Sequence, residues 1–188
     1  FSINELKKVE ELIWNFFQQG VKNKNSAFHY PTIASCGKKS FNMRTVILRK
    51  VEREDHVIVF YTDHRSKKII ELKNNNQVVL HVYDKKNEIQ IQAEGKVKIL
   101  NKVKLNELTW NSLSKYTRQA YLTKKAPGKK ITGDEDLEHL NNQEGYKNFT
   151  IVIVKINKII FLQLNNNGNK KALFKYGKKN INYHWLVP

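Results

Sequence analysis

Apolar residues recur at steps of three and four near the start of the chain, at Ile3, Leu6, Val9, Leu12, Ile13, Phe16 and Phe17. That spacing predicts an amphipathic helix over 3–19, with Gly20 at its C-terminal end. A polar link from Lys22 to Ser26 leads through His29-Tyr30-Pro31 to segments that alternate apolar and polar residues. These read as strands at Thr32–Cys36, Met43–Lys50, His56–Thr62, Val78–Tyr83 and Glu88–Leu100. Between them lie a turn at Gly37-Lys38-Lys39-Ser40, a charged turn from Glu52 to Asp55, a helix from Ser66 to Asn74, and a turn from Asp84 to Asn87. Residues 102–122 return to helical spacing, with Leu105, Leu108, Trp110, Leu113, Tyr116 and Tyr121 on broad apolar faces. The stretch 124–145 is polar, contains Ala126-Pro127-Gly128 and an acidic patch from Asp134 to Asp136, and reads as a loop. Strands resume at Phe149–Ile156, Lys158–Leu164, Lys170–Tyr176 and Tyr183–Val187. No repeat or linker interrupts 1–188, so a single domain is expected. Short alternating strands with few helices predict a mainly β protein, an antiparallel barrel with peripheral helices.

Composition narrows the class. A chain of 188 residues with 40% apolar residues is large enough for a packed core. The single cysteine, Cys36, excludes an internal disulfide and a Cys-rich zinc cluster. It fits a reducing compartment, and a cytoplasmic protein is expected. No apolar run reaches the ~20 residues of a membrane span, and with no basic segment and apolar core at Phe1-Ser2-Ile3-Asn4 no signal peptide is expected. The net charge of +17 invites a nucleic-acid reading. The lysines are spread along the chain and accompanied by Asn runs at 74–76 and 165–167, a general compositional bias rather than a focused footprint. Nucleic acid is therefore not expected as the main partner, although weak, salt-sensitive attraction to polyanions is.

Several chemistries have no sequence support. There is no Gly-rich dinucleotide fingerprint and no GxxxxGK loop. The six histidines lack the short spacings of metal ligands, so no metal site is expected. Cys36 has no evident base partner.

One helix start stands out. Ser66-Lys67-Lys68 places two lysines in the first turn, where the backbone dipole is already positive and each exposed lysine costs about 0.3–1 kcal/mol. Ser66 is placed to cap the helix, and Lys67 followed by Glu71 is the weaker order for an ion pair. A bound anion would turn this cost into a site, with amides, a hydroxyl and two ammonium groups converging on one phosphate. The competing reading is that a lysine-rich chain scatters lysines everywhere. Upstream, Arg44-Thr45-Val46-Ile47-Leu48-Arg49 puts a guanidinium at each end of an apolar strand, roughly 17 Å apart. The two arginines have opposite parity, so a bulge or edge position is required for both to serve one ligand. Downstream stand Phe60-Tyr61-Thr62 and Gln90-Ile91-Gln92-Ala93-Glu94-Gly95.

In that order and spacing these residues resemble the pyridoxamine 5'-phosphate oxidase-like family of FMN-binding split barrels. Its pattern is an Arg-x-Val-x-Leu-Lys/Arg strand, a Phe-Tyr-Thr corner, Ser-Arg/Lys-Lys, and a Gln five residues before a Gly. Pro31 to Ser35, Trp110, Arg118, Tyr121, Ala126-Pro127-Gly128 and the ending Trp185-Leu186-Val187-Pro188 are similar to the branch with a general FMN-binding domain. The resemblance implies an FMN site in which Arg44, Ser66, Lys67 and Lys68 surround the phosphate. It places Thr45, Val46, Ile47 and Leu48 along the ring and Arg49 near its reactive edge. Tyr61 and Thr62 are expected on the ribityl-phosphate arm, Gln90 on the ring, and Lys171 at the position of a cofactor-reaching arginine. It also implies a homodimer with FMN at the subunit interface.

The substrate half departs from the family. The Trp expected beside the flavin falls on Leu162, and the Arg-x-His substrate pair falls on Asn167 and Asn169. An Arg-to-Asn change removes a charge-assisted bond worth ~1.5–3 kcal/mol. The reading is an FMN-dependent oxidoreductase with its small-molecule substrate left open and no residue assigned as general acid or base. The alternative is a flavin-binding carrier, sensor or stress protein without turnover.

Overall fold

The computed structural model describes residues 2–37, 40–100, 103–134, 138–178 and 180–188. Lys38-Lys39 of the expected turn, Lys102 at the start of the expected helical insertion, and Glu135-Asp136 of the acidic patch lie outside the described residues.

Helix α1 runs Ile3–Lys22 and starts where the Ser2 hydroxyl accepts the Glu5 amide at 3.2 Å. Its buried stripe is Leu6, Glu10, Ile13, Trp14, Phe17 and Gly20. The helix therefore passes through Gly20 instead of ending there. A Cβ on Gly20 would lie 2.7 Å from the Phe28 carbonyl carbon, so this glycine admits the 3-10 turn Ala27–His29 against the helix.

Strands β1 (Thr32–Cys36), β2 (Phe41–Thr45), β3 (Leu48–Glu52), β4 (Val57–Asp63), β5 (Gln77–Asp84) and β6 (Ile89–Leu100) precede β7 (Phe149–Gln163), β8 (Lys170–Tyr176) and β9 (Ile181–Leu186). Helix α2 (Lys67–Asn74) lies between β4 and β5. The sheet follows the order β2-β1-β5-β6-β7-β4-β3, with every pair antiparallel. The strand expected over Met43–Lys50 is two strands at opposite ends of this path, joined only by Val46-Ile47. The sheet thus curls until its first and last strands meet covalently without pairing, which is a split barrel. The Val46 amide donates to the Pro31 carbonyl at 2.9 Å and fixes the crossing.

Strand β7 organises the rest. The two expected strands around Asn157 are one strand of 15 residues carrying a bulge, because Glu94 pairs with Lys158 and Gly95 with Ile156. One edge of β7 lies along β6 for its length. The other edge takes β4 beside residues 149–155 and β8 beside residues 158–163.

The helical insertion is α3 (Val103–Ser112) and α4 (Lys115–Gln119), broken where the Ser114 hydroxyl caps the second helix at Thr117. The polar stretch 124–145 is not loop throughout. Thr123 bridges to His139, and α5 (Asn142–Asn148) begins with a capping box between Asn141 and Glu144. That Asn-x-x-Glu spacing was the available sequence signal.

Trp14, Phe17, Phe28, Leu48, Phe60, Ile91, Val154, Phe161 and Phe174 lie in the main core between α1 and the inner sheet face. Each such side chain contributes about 1.5–3 kcal/mol on burial. A second cluster of Val59, Leu100, Trp110, Tyr121, Phe149 and Ile151 seats the insertion on β4 and β7. Among the described residues no helix is long and apolar enough to cross a membrane.

Candidate functional site

The seam between β2 and β3 opens into a cleft of about 620 Å³. Its lining includes Thr45, Val46 and Ile47 from the β2–β3 crossing, Arg49 from β3, and Tyr61, Thr62 and Asp63 from β4. Lys68 of α2, Tyr116, Thr117, Gln119, Ala120 and Tyr121 of the insertion, and Pro127 after it complete the lining. The register between β3 and β4 shifts between Leu48 and Lys50, so Arg49 sits at an irregularity in the edge strand. The strand break puts Arg44 on β2 and Arg49 on β3, and of the two only Arg49 lines the cleft. The Arg49 guanidinium lies 5.7 Å from the centre of the Tyr61 ring.

Beside Lys68, Ser66 occupies the N-cap position of α2 with extended backbone (φ −69°, ψ 148°). Its hydroxyl makes no capping bond, contrary to expectation, although the residue is buried. The Lys68 ammonium instead reaches back, donating to Thr62 Oγ1 at 2.8 Å and lying 3.5 Å from Ser66 Oγ. Burial and then the nearby Arg44 charge lower the Lys68 pKa below the ordinary lysine value. Two hydroxyls and one half-buried cation converge here at a helix start. The arrangement fits an oxyanion, because a bound anion removes both penalties on that lysine.

The other two cations expected here behave differently. Lys67 is solvent-exposed and lies 4.0 Å from Glu71. Arg44 donates to the Ser35 hydroxyl and, at 2.9 Å, to Glu71 Oε2. Glu71 also accepts from Ser35 at 2.6 Å and from Asn42 at 2.8 Å. Burial pushes the Glu71 carboxyl up, but the hydrogen bonds from Ser35 and Arg44 outweigh it and hold the carboxyl below its ordinary pKa. Glu71, Ser35 and Asn42 were absent from the sequence-based site. Their signal was strand parity, since Ser35, Asn42 and Arg44 share the inner face of the β1–β2 pair.

Leu48 is core, 1% exposed, so its side chain does not line the cleft. Asp63 is paired with Arg65 at 2.7 Å, and Arg65 also donates to the Thr123 and Lys124 carbonyls, which ties the insertion's end to β4. Burial raises the Tyr121 hydroxyl pKa to about 12, so it stays protonated and uncharged.

Gln90 and Lys171 lie elsewhere. Pairing aligns Tyr83, Gln90, Leu162, Lys171 and Leu186 in one row across β5 to β9 on the outer sheet face. Tyr61 of the cleft pairs with Ile151 on β7. Leu162 is eleven residues further along that strand, roughly 36 Å at 3.3 Å per residue. One chain does not bring Gln90 and Lys171 to its own cleft.

Residues 11–101 match the family model described as pyridoxamine 5'-phosphate oxidase, FMN-binding domain. No curated protein matches the chain. Among solved structures, a pyridoxamine 5'-phosphate oxidase-related, FMN binding protein from Nostoc punctiforme superposes with a TM-score of 0.76 at 15% identity, covering 93% of this chain and 95% of the other. PhzG from Burkholderia lata, solved with tetrahydrophenazine-1-carboxylic acid, gives a TM-score of 0.75 at 12% identity, covering 95% and 91%. General Stress Protein 26 from Bacillus anthracis gives 0.51 at 15% identity, covering 79% and 92%. These likenesses establish the fold. Over residues 11–101 the chain is thus similar to the FMN-binding domain of the pyridoxamine 5'-phosphate oxidase family, and its fold is the split barrel of these structures.

Proposed function

We propose that the chain is an FMN-dependent oxidoreductase whose flavin phosphate is gripped where α2 begins. The observation that carries this reading is the convergence of Lys68, Thr62 and Ser66, with a buried serine hydroxyl not spent on capping. Bound FMN supplies the redox chemistry. Lys68 and the two hydroxyls hold the phosphate, Arg44 lends charge from beside it, and Lys67 contributes only long-range attraction. Thr45, Val46 and Ile47 form the wall against which the ring lies, Tyr61 and Thr62 flank the ribityl arm, and Arg49 stands over the Tyr61 ring at the far end.

A homodimer completes the site in this reading. Gln90 and Lys171 sit too far from their own cleft to share its flavin, so they serve the cleft of a second copy. The outer face that carries them also exposes apolar side chains, with Phe41 82% and Met43 68% exposed, which a second copy would cover. Light scattering of the purified protein is expected to give twice the chain mass; a monomer that retains FMN would refute this part.

The second reading, a flavin carrier or sensor without turnover, has one observation in its favour. The turn carrying Asn167 and Asn169 is closed on itself: Asn169 Oδ1 accepts the Asn165 amide at 3.1 Å, and Asn165 Oδ1 accepts the Asn167 amide at 2.9 Å. Absorption spectra of the isolated protein, mass identification of the released chromophore, and reoxidation of reduced flavin with a broad substrate panel separate the two. Bound FMN with turnover supports the oxidoreductase, bound FMN without turnover supports the carrier, and failure to take up FMN refutes both.

A further inference from the structure

We propose that Tyr121 is a specificity-determining residue of this cleft, its hydroxyl donating a hydrogen bond to a carboxylate or carbonyl oxygen of the small molecule that binds beside the flavin; this rests on the FMN reading above. Tyr121 lines the cleft yet is only 6% exposed. Its ring is fixed by two others, with the Trp110 ring centre at 5.8 Å and the Phe149 ring centre at 5.3 Å. Tyr61 stands edge-on against the same Phe149 at 5.2 Å, so one residue of β7 sets the position of both tyrosines. The backbone is tied as well. The Tyr121 amide donates to the Arg118 carbonyl at 2.9 Å, and the Asn148 side chain donates to the Tyr121 carbonyl at 2.9 Å.

The hydroxyl makes no hydrogen bond with any described residue. A buried hydroxyl without a partner is costly, and folded proteins leave few of them. Burial keeps this one protonated, and the groups next in effect on it are Arg49, Asp63 and the Tyr61 hydroxyl. All three line the cleft, so the phenol end of Tyr121 lies toward it. None of them is its acceptor. Asp63 is spent on Arg65, its Oδ1 accepting the Arg65 amide at 2.8 Å and its Oδ2 accepting Arg65 Nη2 at 2.7 Å. Arg49, over the Tyr61 ring, has only N–H groups to offer. Arg118, three residues earlier, is turned elsewhere: its Nε donates to the Leu113 carbonyl at 3.0 Å and its Nη2 to the Asn111 carbonyl at 2.9 Å. Around the Tyr121 hydroxyl there are thus donors in excess, and the missing partner is an oxygen with lone pairs that the ligand must bring. The unpaired charge of Arg49 favours the same kind of oxygen.

The test compares the parent protein with Tyr121→Phe, which keeps the ring against Trp110 and Phe149 and removes only the hydroxyl. Both proteins, loaded with FMN, are titrated with naphthoate and with naphthamide, planar probes suited to a cleft lined by tyrosines. Salt at about 0.2 M screens the general positive charge. Tyr121→Phe is expected to weaken binding of at least one probe about three- to tenfold, while FMN affinity and the flavin spectrum stay those of the parent protein. An effect on naphthoate alone assigns a carboxylate, and an effect on naphthamide assigns a carbonyl. Binding of neither probe to the parent protein, or probe binding indifferent to Tyr121→Phe, would overturn the proposal. So would a loss of FMN affinity in Tyr121→Phe, which would place the hydroxyl on the flavin. A parent protein that takes up no FMN fails at the loading step, so loss of the cofactor reading is distinguishable from loss of this one.

Discussion

Arg44 Nη2 lies 2.9 Å from Glu71 Oε2, so this arginine is already held by a buried carboxylate of its own chain. A phosphate arriving beside Lys68 must share Arg44 with Glu71 and lie near that carboxylate's charge. Glu71→Gln keeps the shape and removes the charge, and is expected to tighten FMN binding two- to tenfold, about 0.5–1.5 kcal/mol at an effective protein dielectric. Fluorescence titration with FMN reads this directly; weaker binding would mean that Glu71 orients Arg44 for the phosphate instead of competing with it. Arg44→Ala has the opposite character. It leaves Glu71 buried with only Ser35 and Asn42 as donors, and denaturant titration is expected to show a loss of up to about 3 kcal/mol.

Lysine titration supplies a pH dependence. Burial and Arg44 lower the Lys68 pKa in the free protein below 10.5, and a phosphate dianion against it raises that value. The complex therefore holds a proton that the free protein releases. FMN affinity is expected to fall as pH rises through the lowered free-protein value, and to flatten in Lys68→Met. An alkaline profile unchanged by Lys68→Met would exclude Lys68 as the titrating group.

Acid sensitivity has a different origin. His56 packs on Tyr176 with ring centres 4.0 Å apart, and burial, then Lys155, lower its pKa from 6.5. Below pH 6.5 the unfolded chain takes up a proton that the folded protein resists, so the stability contributed by His56 is complete above that pH and lost as pH falls through the folded value. His56→Phe retains a ring on Tyr176 and removes the titration. Thermal melts are expected to show a shallower fall in Tm as pH drops below 6.5 than in the parent protein.

Gly20 makes a packing prediction. Gly20→Ala would set a Cβ 2.7 Å from the Phe28 backbone, and overpacking of this kind costs about 1–3 kcal/mol. Were Gly20 only a helix terminator, the same substitution would be near neutral in denaturant titration.

Much of the fold was legible because its periods are clean. The alternation in Thr32–Cys36 and Lys170–Tyr176 gave both strands at their observed bounds. Local patterns failed where tertiary pairing decides. Nothing in the run Met43 to Lys50 says that its halves pair with β1 and β4 at opposite ends of a sheet, and Asn157 reads as a turn until β6 is found bridging it. The site divides the same way. Lys68, Thr62 and Ser66 lie within seven residues and one turn, so their convergence followed from local order. Glu71 meets Arg44 only because α2 lies over β1 and β2, and Arg118 faces away from the cleft only because α3 and α4 break at Ser114.

The phosphate grip itself is tested by comparing FMN with riboflavin, which lacks the phosphate, on the parent protein and on Lys68→Ala. The account predicts that the parent protein prefers FMN, and that Lys68→Ala loses about 1–3 kcal/mol of that preference while riboflavin binding is little changed. Equal affinity of the parent protein for the two flavins, or a preference for FMN that survives in Lys68→Ala, would contradict it.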